Sequence, residues 1–249
     1  MPLNTHGPSL VIGAAITVAS ILSAVFVFGT GFLDELRQPT KISEGDSKII
    51  PETEKTSEKI QNDVYAMSLF TANASPILGS ADATITLIEF GDYQCFYCNR
   101  FFHATEPDIM KNYIETGKVK MIFKDFTIIG QDSINAAHAA HCAQKVGKFW
   151  EFHDILYNNW AGENTGWASP KNITGFAKQI GLDEEGFKSC MSEARYLSVI
   201  KGSYSDGQTL GVTGTPGFFI IGPDNSVTKL SGAQPYEVFE EIFKSKLEK

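Results

Sequence analysis

Apolar and polar positions alternate with two different periods from about residue 76 onward. Thr84–Phe90 is a nearly continuous apolar run and predicts a buried β-strand, and the alternation in Lys118–Lys124 predicts a second strand. A further strand pair is predicted at Phe218–Gly222 and Val227–Ser231, because the turn residues Pro223-Asp224-Asn225 separate these two runs. The pattern therefore indicates two strands early in the domain and two strands late in it.

Helical spacing of apolar residues covers most of the remaining domain. Phe96–Thr116 predicts one helix with Pro107 as a kink, and Asp183 is a side-chain N-cap for Asp183–Arg195. The other predicted helices are Ser133–Val146, Lys148–Asn158, Pro170–Ile180, Tyr196–Leu210 and Pro235–Lys249. This order predicts an α/β, thioredoxin-like fold in residues 76–249, with a helical domain inserted after the second core strand at about 131–210.

The first 75 residues have a different pattern. Leu10–Leu33 contains no charged residue, and as a helix it would rise about 36 Å, enough to cross the hydrocarbon core of a bilayer. Residues 1–33 are therefore predicted to be an N-terminal transmembrane helix, with a cleaved signal peptide as the alternative. The mixed-charge residues 34–75 are predicted to be a polar tether, and the alternative is a solvated helix packed on the domain.

Composition narrows the classes of function. The 249 residues carry a net charge of −8, which disfavours a nucleic-acid partner. The sequence contains no phosphate-binding loop and no dinucleotide fingerprint, so no cofactor is expected. Any catalytic chemistry is therefore expected to use the protein's own side chains.

Cys95-Phe96-Tyr97-Cys98 lies directly after the first predicted strand and before a helical pattern. A CxxC in this position places Cys95 at a helix N-terminus, where backbone N–H groups and the helix dipole stabilise a thiolate. The spacing predicts a thiol–disulfide exchange catalyst. Half of a zinc site and a Cu(I) metallochaperone site are the alternatives, although no further soft or imidazole ligand lies next to the motif.

The two other cysteines, Cys142 and Cys190, both fall in the predicted helical block. In an exported domain they predict a second, structural disulfide, and two small buried apolar residues are the alternative. His138, His141 and His153 lie in the same block, but the sequence supplies no clear further ligand set, so no metal site is expected.

Four stretches together resemble the DsbA-type thiol–disulfide oxidoreductases: ITLIEFGDYQCFYC, VKMIFKDF, AAHCAQKVGKFWEFHDILY and GVTGTPGFFIIG. The resemblance implies that Cys95 is the nucleophile and that Cys98 completes the redox-active disulfide. It implies that Thr215-Pro216 forms a cis-proline loop beside the sulfurs. It also implies that Glu89, in the first strand, relays protons to Cys98.

Glu89 is the one charged residue in an otherwise apolar strand, and a buried charge needs a partner. Lys124, at the end of the second predicted strand, is the expected partner. A glutamate at an exposed sheet edge is the alternative.

These features predict a membrane-anchored, single-pass thiol–disulfide oxidoreductase whose domain faces the extracytoplasmic side. Arg37, Lys41 and Lys48 after the apolar segment would favour a cytoplasmic domain, but disulfide chemistry favours the outside. The expected activity is a dithiol oxidase that acts on exported proteins with cysteine thiols and is recycled by a redox partner. A reductase or isomerase is the main alternative.

Overall fold

The structure is a computed structural model, and it describes residue 61 and residues 64–248. The predicted transmembrane helix and most of the predicted tether lie outside these residues. Within the described part of the chain, no helix is both long and apolar enough to cross a membrane.

Four strands form one mixed sheet, β1 (Ile85–Gly91), β2 (Val119–Asp125), β3 (Gly217–Ile221) and β4 (Val227–Ser231). The strand order is β2-β1-β3-β4, with β1 and β2 parallel and the other two neighbouring pairs antiparallel. The bounds lie within one residue of those predicted, because apolar runs and turn residues mark each strand locally. The thioredoxin-like α/β prediction is confirmed.

Helices cover both faces of this sheet and form the insertion between β2 and β3. They are α1 (64–71), α2 (Phe96–Ala104), α3 (Glu106–Ile109), α4 (Gln131–Gln144), α5 (Phe149–Asn158), α6 (Pro170–Gln179), α7 (Glu184–Ser192), α8 (Leu197–Thr209) and α9 (Tyr236–Leu247), with a π-helical turn at Met110–Ile114. Asp183 caps α7 as predicted, because its carboxylate accepts a 2.7 Å hydrogen bond from the Gly186 N–H.

The single helix predicted for Phe96–Thr116 is wrong. The chain leaves α2 after Ala104 and starts α3 at Glu106, so Pro107 lies in the first turn of a new helix. Proline has no N–H to donate to the preceding turn, and its ring clashes with the carbonyl there, so a helix ends more readily than it passes through this residue.

Helix α1 lies within the segment expected to be a tether. Phe70 on this helix is buried and packs with Phe90, Phe126 and Phe219 on one face of the sheet. The globular part of the chain therefore begins before Pro76. Val64, Tyr65 and Met67 on the same helix are exposed, so the apolar residues of this stretch did not indicate which side chain is buried.

The two faces of the sheet carry separate apolar clusters. Ile85 and Leu87 of β1 pack toward α2 and α9, whereas Ile88 and Phe90 face α1 and the end of α8. A third cluster fills the helical insertion and reaches Cys95 and Cys98. The CxxC motif thus lies where the insertion covers the end of β1.

Candidate active site

Cys95 is the N-cap residue of α2, directly after the loop that follows β1. The loop is held by Asp92, whose fully buried carboxylate accepts hydrogen bonds from the N–H groups of Gln94 (2.9 Å), Ile128 (2.8 Å) and Ile129 (3.1 Å). One carboxylate thereby joins the loops after β1 and β2. This fixes the start of α2 relative to the sheet.

Cys95 and Cys98 are both free thiols in the structure, and they differ in environment. Hydrogen bonds with the Cys98 side chain, the Thr215 side chain and the backbone of residues 97 and 98 together lower the pKa of Cys95 to about 6, although burial opposes them. Burial raises the pKa of Cys98 well above its ordinary value. Cys95 is therefore the better nucleophile at neutral pH.

Thr215 and Pro216 lie beside the reactive sulfur, and the peptide bond between them is cis. The Cys95 thiol donates a hydrogen bond to the Thr215 carbonyl oxygen at 3.4 Å. The two residues expected from the family resemblance thus lie next to the CxxC motif, although 120 positions separate Cys95 from Thr215 in the sequence.

Glu89 and Lys124 do not pair, so the expected ion pair is wrong. In the parallel register Glu89 lies beside Phe123, and Lys124 lies beside Phe90, which places the two charges on opposite faces of the sheet. The Lys124 ammonium instead bonds the Asp206 carboxylate of α8 at 2.8 Å and the Leu69 carbonyl at the end of α1 at 2.9 Å.

The Glu89 carboxyl is fully buried on the face that carries α2, so the exposed-edge alternative is also wrong. Neither of its oxygens has a hydrogen-bond partner among the described residues. Burial, the Glu106 carboxylate and the Cys95 thiolate together raise the pKa of Glu89 well above its ordinary value. The raised pKa favours the protonated carboxyl over the carboxylate in this buried site.

Two further acids lie near this face, and sequence patterns did not single them out. Burial, with the charge of Asp154, raises the pKa of Glu106 to about 8, and burial with Glu151 raises that of Asp154 to about 6. Both side chains line a cavity of about 350 Å³ with Trp150. A glutamate beside a proline at a helix start gives no sequence signal of burial.

A cluster of buried aromatic residues packs together with Cys98. The Tyr93 hydroxyl lies 3.1 Å from Nδ1 of His153, and the rings of Phe123 and Tyr157 surround this pair. Burial lowers the pKa of His153 to about 3, so its ring is neutral. His153 is therefore a core residue and not a proton carrier at physiological pH.

Cys142 and Cys190 form a disulfide with an S–S distance of 2.04 Å, joining α4 to α7. His138 lies close enough that its ring nitrogen and the two sulfurs are within 4.8 Å of one another, but the sulfurs are bonded to each other and are not thiolate ligands. His141 bonds Asp125 at 2.7 Å and does not join this group.

The surface around Cys95 is aromatic. Phe96 and Tyr97 are 49% and 54% exposed, and Trp160 from the insertion contacts Phe96 with ring centroids 5.9 Å apart. Exposed aromatic rings next to a reactive thiol give a substrate apolar contact area without a specific charge requirement.

Several known proteins resemble this chain in sequence and in fold. A family model described as thioredoxin matches residues 71–244. A probable disulfide bond formation protein D of Bacillus cereus is 28% identical over 158 residues, covering 62% of this chain and 73% of that protein. The structure of oxidised BdbD from Bacillus subtilis matches with a TM-score of 0.64 at 26% identity, covering 70% of this chain and 94% of that chain. α-DsbA1 of Wolbachia pipientis matches with a TM-score of 0.63 at 25% identity, covering 70% and 90%.

Proposed function

We propose that this chain, which belongs to the thioredoxin family and is a DsbA-type thiol–disulfide oxidoreductase, acts as a dithiol oxidase for exported proteins. The Cys95–Cys98 disulfide would be the oxidant. The observation that carries the proposal is the contrast between a Cys95 thiol with a pKa of about 6 and a Cys98 thiol whose pKa is well above the ordinary value.

The reaction proceeds in two exchanges. A substrate thiolate attacks the Cys95 sulfur, the Cys95–Cys98 bond breaks, and Cys98 leaves with the electron pair and takes up a proton. A second substrate thiolate then attacks the substrate sulfur of the mixed disulfide, and Cys95 leaves as a thiolate. The substrate loses two electrons and the enzyme gains them. A leaving thiol of low pKa leaves faster, so the properties of Cys95 favour release of oxidised substrate.

Glu89 is the proposed proton donor to Cys98. Its buried carboxyl interacts electrostatically with both cysteines, and its raised pKa favours the protonated form. A Cys98 thiolate formed in this buried site would be strongly disfavoured until it received a proton. Glu89→Gln should therefore slow reduction of the Cys95–Cys98 disulfide by substrate, while alkylation of reduced Cys95 changes little.

The proposed location is the extracytoplasmic face of a membrane, with residues 1–33 as a single-pass anchor and a membrane or soluble redox partner that re-oxidises the pair. The charge-free run Leu10–Leu33 supports the anchor, and the Cys142–Cys190 disulfide supports an oxidising compartment. Protease treatment of intact cells should digest the domain and spare the anchor. The protease is applied after any outer membrane has been permeabilised, and protection of the domain under these conditions, with digestion after lysis, would place it in the cytoplasm.

Trapping of substrates tests the proposed roles. Oxidised enzyme is mixed with a reduced, unfolded protein, and the products are mapped by mass spectrometry. Cys95→Ser should abolish oxidation of the substrate. Cys98→Ser, whose Cys95 is first converted to a mixed disulfide with glutathione, should release glutathione to an attacking substrate thiolate and accumulate the Cys95–substrate disulfide. Alkylation of the reduced wild-type protein should reach Cys95 before Cys98. Faster alkylation at Cys98, or oxidation that survives Cys95→Ser, would contradict the assignment.

A further inference from the structure

A loop of the helical insertion, residues 160–164, holds the residue that precedes Cys95. The Trp160 indole N–H donates to the Gln94 carbonyl at 2.7 Å, and the Asn164 N–H donates to the Gln94 side-chain oxygen at 2.7 Å. The Gln94 amide also donates to the Ser133 hydroxyl at 3.0 Å, and its side chain is fully buried. The loop therefore has a fixed position next to the reactive thiol.

The same loop contacts the residue that follows Cys95. The backbone N–H of Phe96, the first residue of α2, donates to the Glu163 carboxylate at 3.1 Å. Glu163 is exposed, so this bond is not required to satisfy a buried group. Its consequence is electrostatic, because it places a full negative charge at the helix terminus that supports the Cys95 thiolate.

A carboxylate in this position acts against a thiolate. The N-terminus of α2 carries a partial positive charge that favours an anion at Cys95. Glu163 neutralises part of that charge through the Phe96 N–H, and a negative charge near the helix start disfavours the ionised form of the thiol. Cys98 on α2 and Glu89 on β1 are titratable groups that also interact with Cys95.

We propose that Glu163 is a positioning residue of the redox site, whose carboxylate at the start of α2 reduces the thiolate form of Cys95 and so lowers the reduction potential of the Cys95–Cys98 pair. The inference deepens the proposed function and rests on it. The insertion would then tune the oxidant through one charge, in addition to covering the active site.

Glu163→Gln tests the charge, because glutamine keeps an acceptor oxygen for the Phe96 N–H. Glu185→Gln is the matched control, since Glu185 is 88% exposed on α7 and the substitution removes the same charge. Two readouts are measured for each protein. They are the alkylation rate of Cys95 against pH and the equilibrium of the pair with glutathione.

The alkylation rates of the variant and wild type should differ mainly at low pH, whereas their equilibria with glutathione should differ mainly at neutral pH. At pH 5.5, Glu163→Gln should alkylate about twofold faster than wild type, because more of Cys95 is thiolate, and the rates should converge near pH 8. At pH 7 the equilibrium constant for reduction should rise about threefold, equivalent to about 14 mV, and the difference should nearly vanish at pH 5. Both effects should shrink at about 1 M salt.

The inference is overturned if Glu163→Gln matches Glu185→Gln in both readouts, or if its potential shift is the same at pH 5 and pH 7, as a purely structural effect would be. Alkylation reports on Cys95 even in a protein that exchanges no disulfides. Failure of the proposed function would appear in wild type as an unreactive Cys95 or as no exchange with glutathione. Failure of the inference alone leaves wild type reactive and Glu163→Gln unchanged.

Discussion

The sulfur of Cys95 lies 3.4 Å from the carbonyl oxygen of Thr215, although 120 positions separate the two residues in the sequence. The helical insertion accounts for most of that separation, and its loop 160–164 bonds Gln94 and Phe96, the residues on either side of Cys95. The CxxC motif, the cis-proline loop and the insertion therefore meet around the reactive thiol. A change in any of them should alter the thiol chemistry while the fold persists.

The Thr215 hydroxyl should stabilise the Cys95 thiolate, because hydrogen bonding from this side chain lowers the pKa of Cys95. Thr215→Val removes the hydroxyl and keeps the shape, so the pKa of Cys95 should rise. Absorbance of the thiolate at 240 nm against pH measures this directly. Thr209→Val on α8, whose hydroxyl bonds the Ser205 carbonyl, is the matched control and should leave the titration unchanged. A lower pKa in Thr215→Val would contradict the assignment.

The Cys142–Cys190 disulfide should stabilise the domain without taking part in exchange. Its sequence separation of 48 residues corresponds to about 4 kcal/mol in the chain-entropy description, and measured values are often smaller. Replacing both cysteines with alanine should lower the urea midpoint and keep substrate oxidation by the Cys95–Cys98 pair. An unchanged midpoint would show that the bridge adds no stability, and loss of oxidation in a folded variant would assign it a redox role.

Buried Glu106 should make stability depend on pH. Its pKa is about 8 in the folded protein, above the ordinary value of 4.5, so the folded state holds a proton that the unfolded chain releases. Stability is thus fully present below about pH 4.5 and falls as pH rises toward 8. Glu106→Gln carries no such proton, so it should be more stable relative to wild type at pH 8 than at pH 4.5.

Urea unfolding at several pH values measures that slope. Glu115→Gln, an exposed glutamate just after the π-helical turn, is the control and should keep the wild-type slope. If Glu106→Gln also keeps that slope, Glu106 is not the group responsible.

The residues between the cysteines should set how oxidising the disulfide is. Phe96 offers no donor or charge to the thiolate, and Tyr97 is 54% exposed with its ring under Arg100. A histidine at position 97 would add a ring N–H and partial positive charge near Cys95. Tyr97→His should therefore raise both the thiolate fraction at neutral pH and the reduction potential. Tyr97→Phe should leave both near wild type, and an equal rise in the two variants would exclude charge as the cause.

Local patterns in the sequence were enough for the strands, for most helix bounds and for the place of Cys95, because each depends on neighbours within a few residues. The pairing of Glu89 depends on which face of the sheet each strand presents. A strand that is apolar on both sides, as β1 is, contains no alternation from which that face can be read. The sequence therefore showed that Glu89 was unusual but not where its side chain points.

The loop that holds Gln94 was beyond sequence patterns for a different reason. Its contacts use the indole N–H of Trp160, a backbone N–H and one carboxylate, and such groups have no apolar period. The helix break at Pro107 could not be predicted for a third reason, because the same proline permits either a kink within one helix or the start of a new helix. Tertiary packing decides between them.

The reduction potential of the Cys95–Cys98 pair tests the central claim most directly. The reduced fraction is measured by mass spectrometry after equilibration with glutathione buffers at pH 7. A dithiol oxidase with a stabilised Cys95 thiolate but no histidine between its cysteines should lie between about −180 and −120 mV. A potential near that of thioredoxin, about −270 mV, would contradict the oxidase and indicate a reductase.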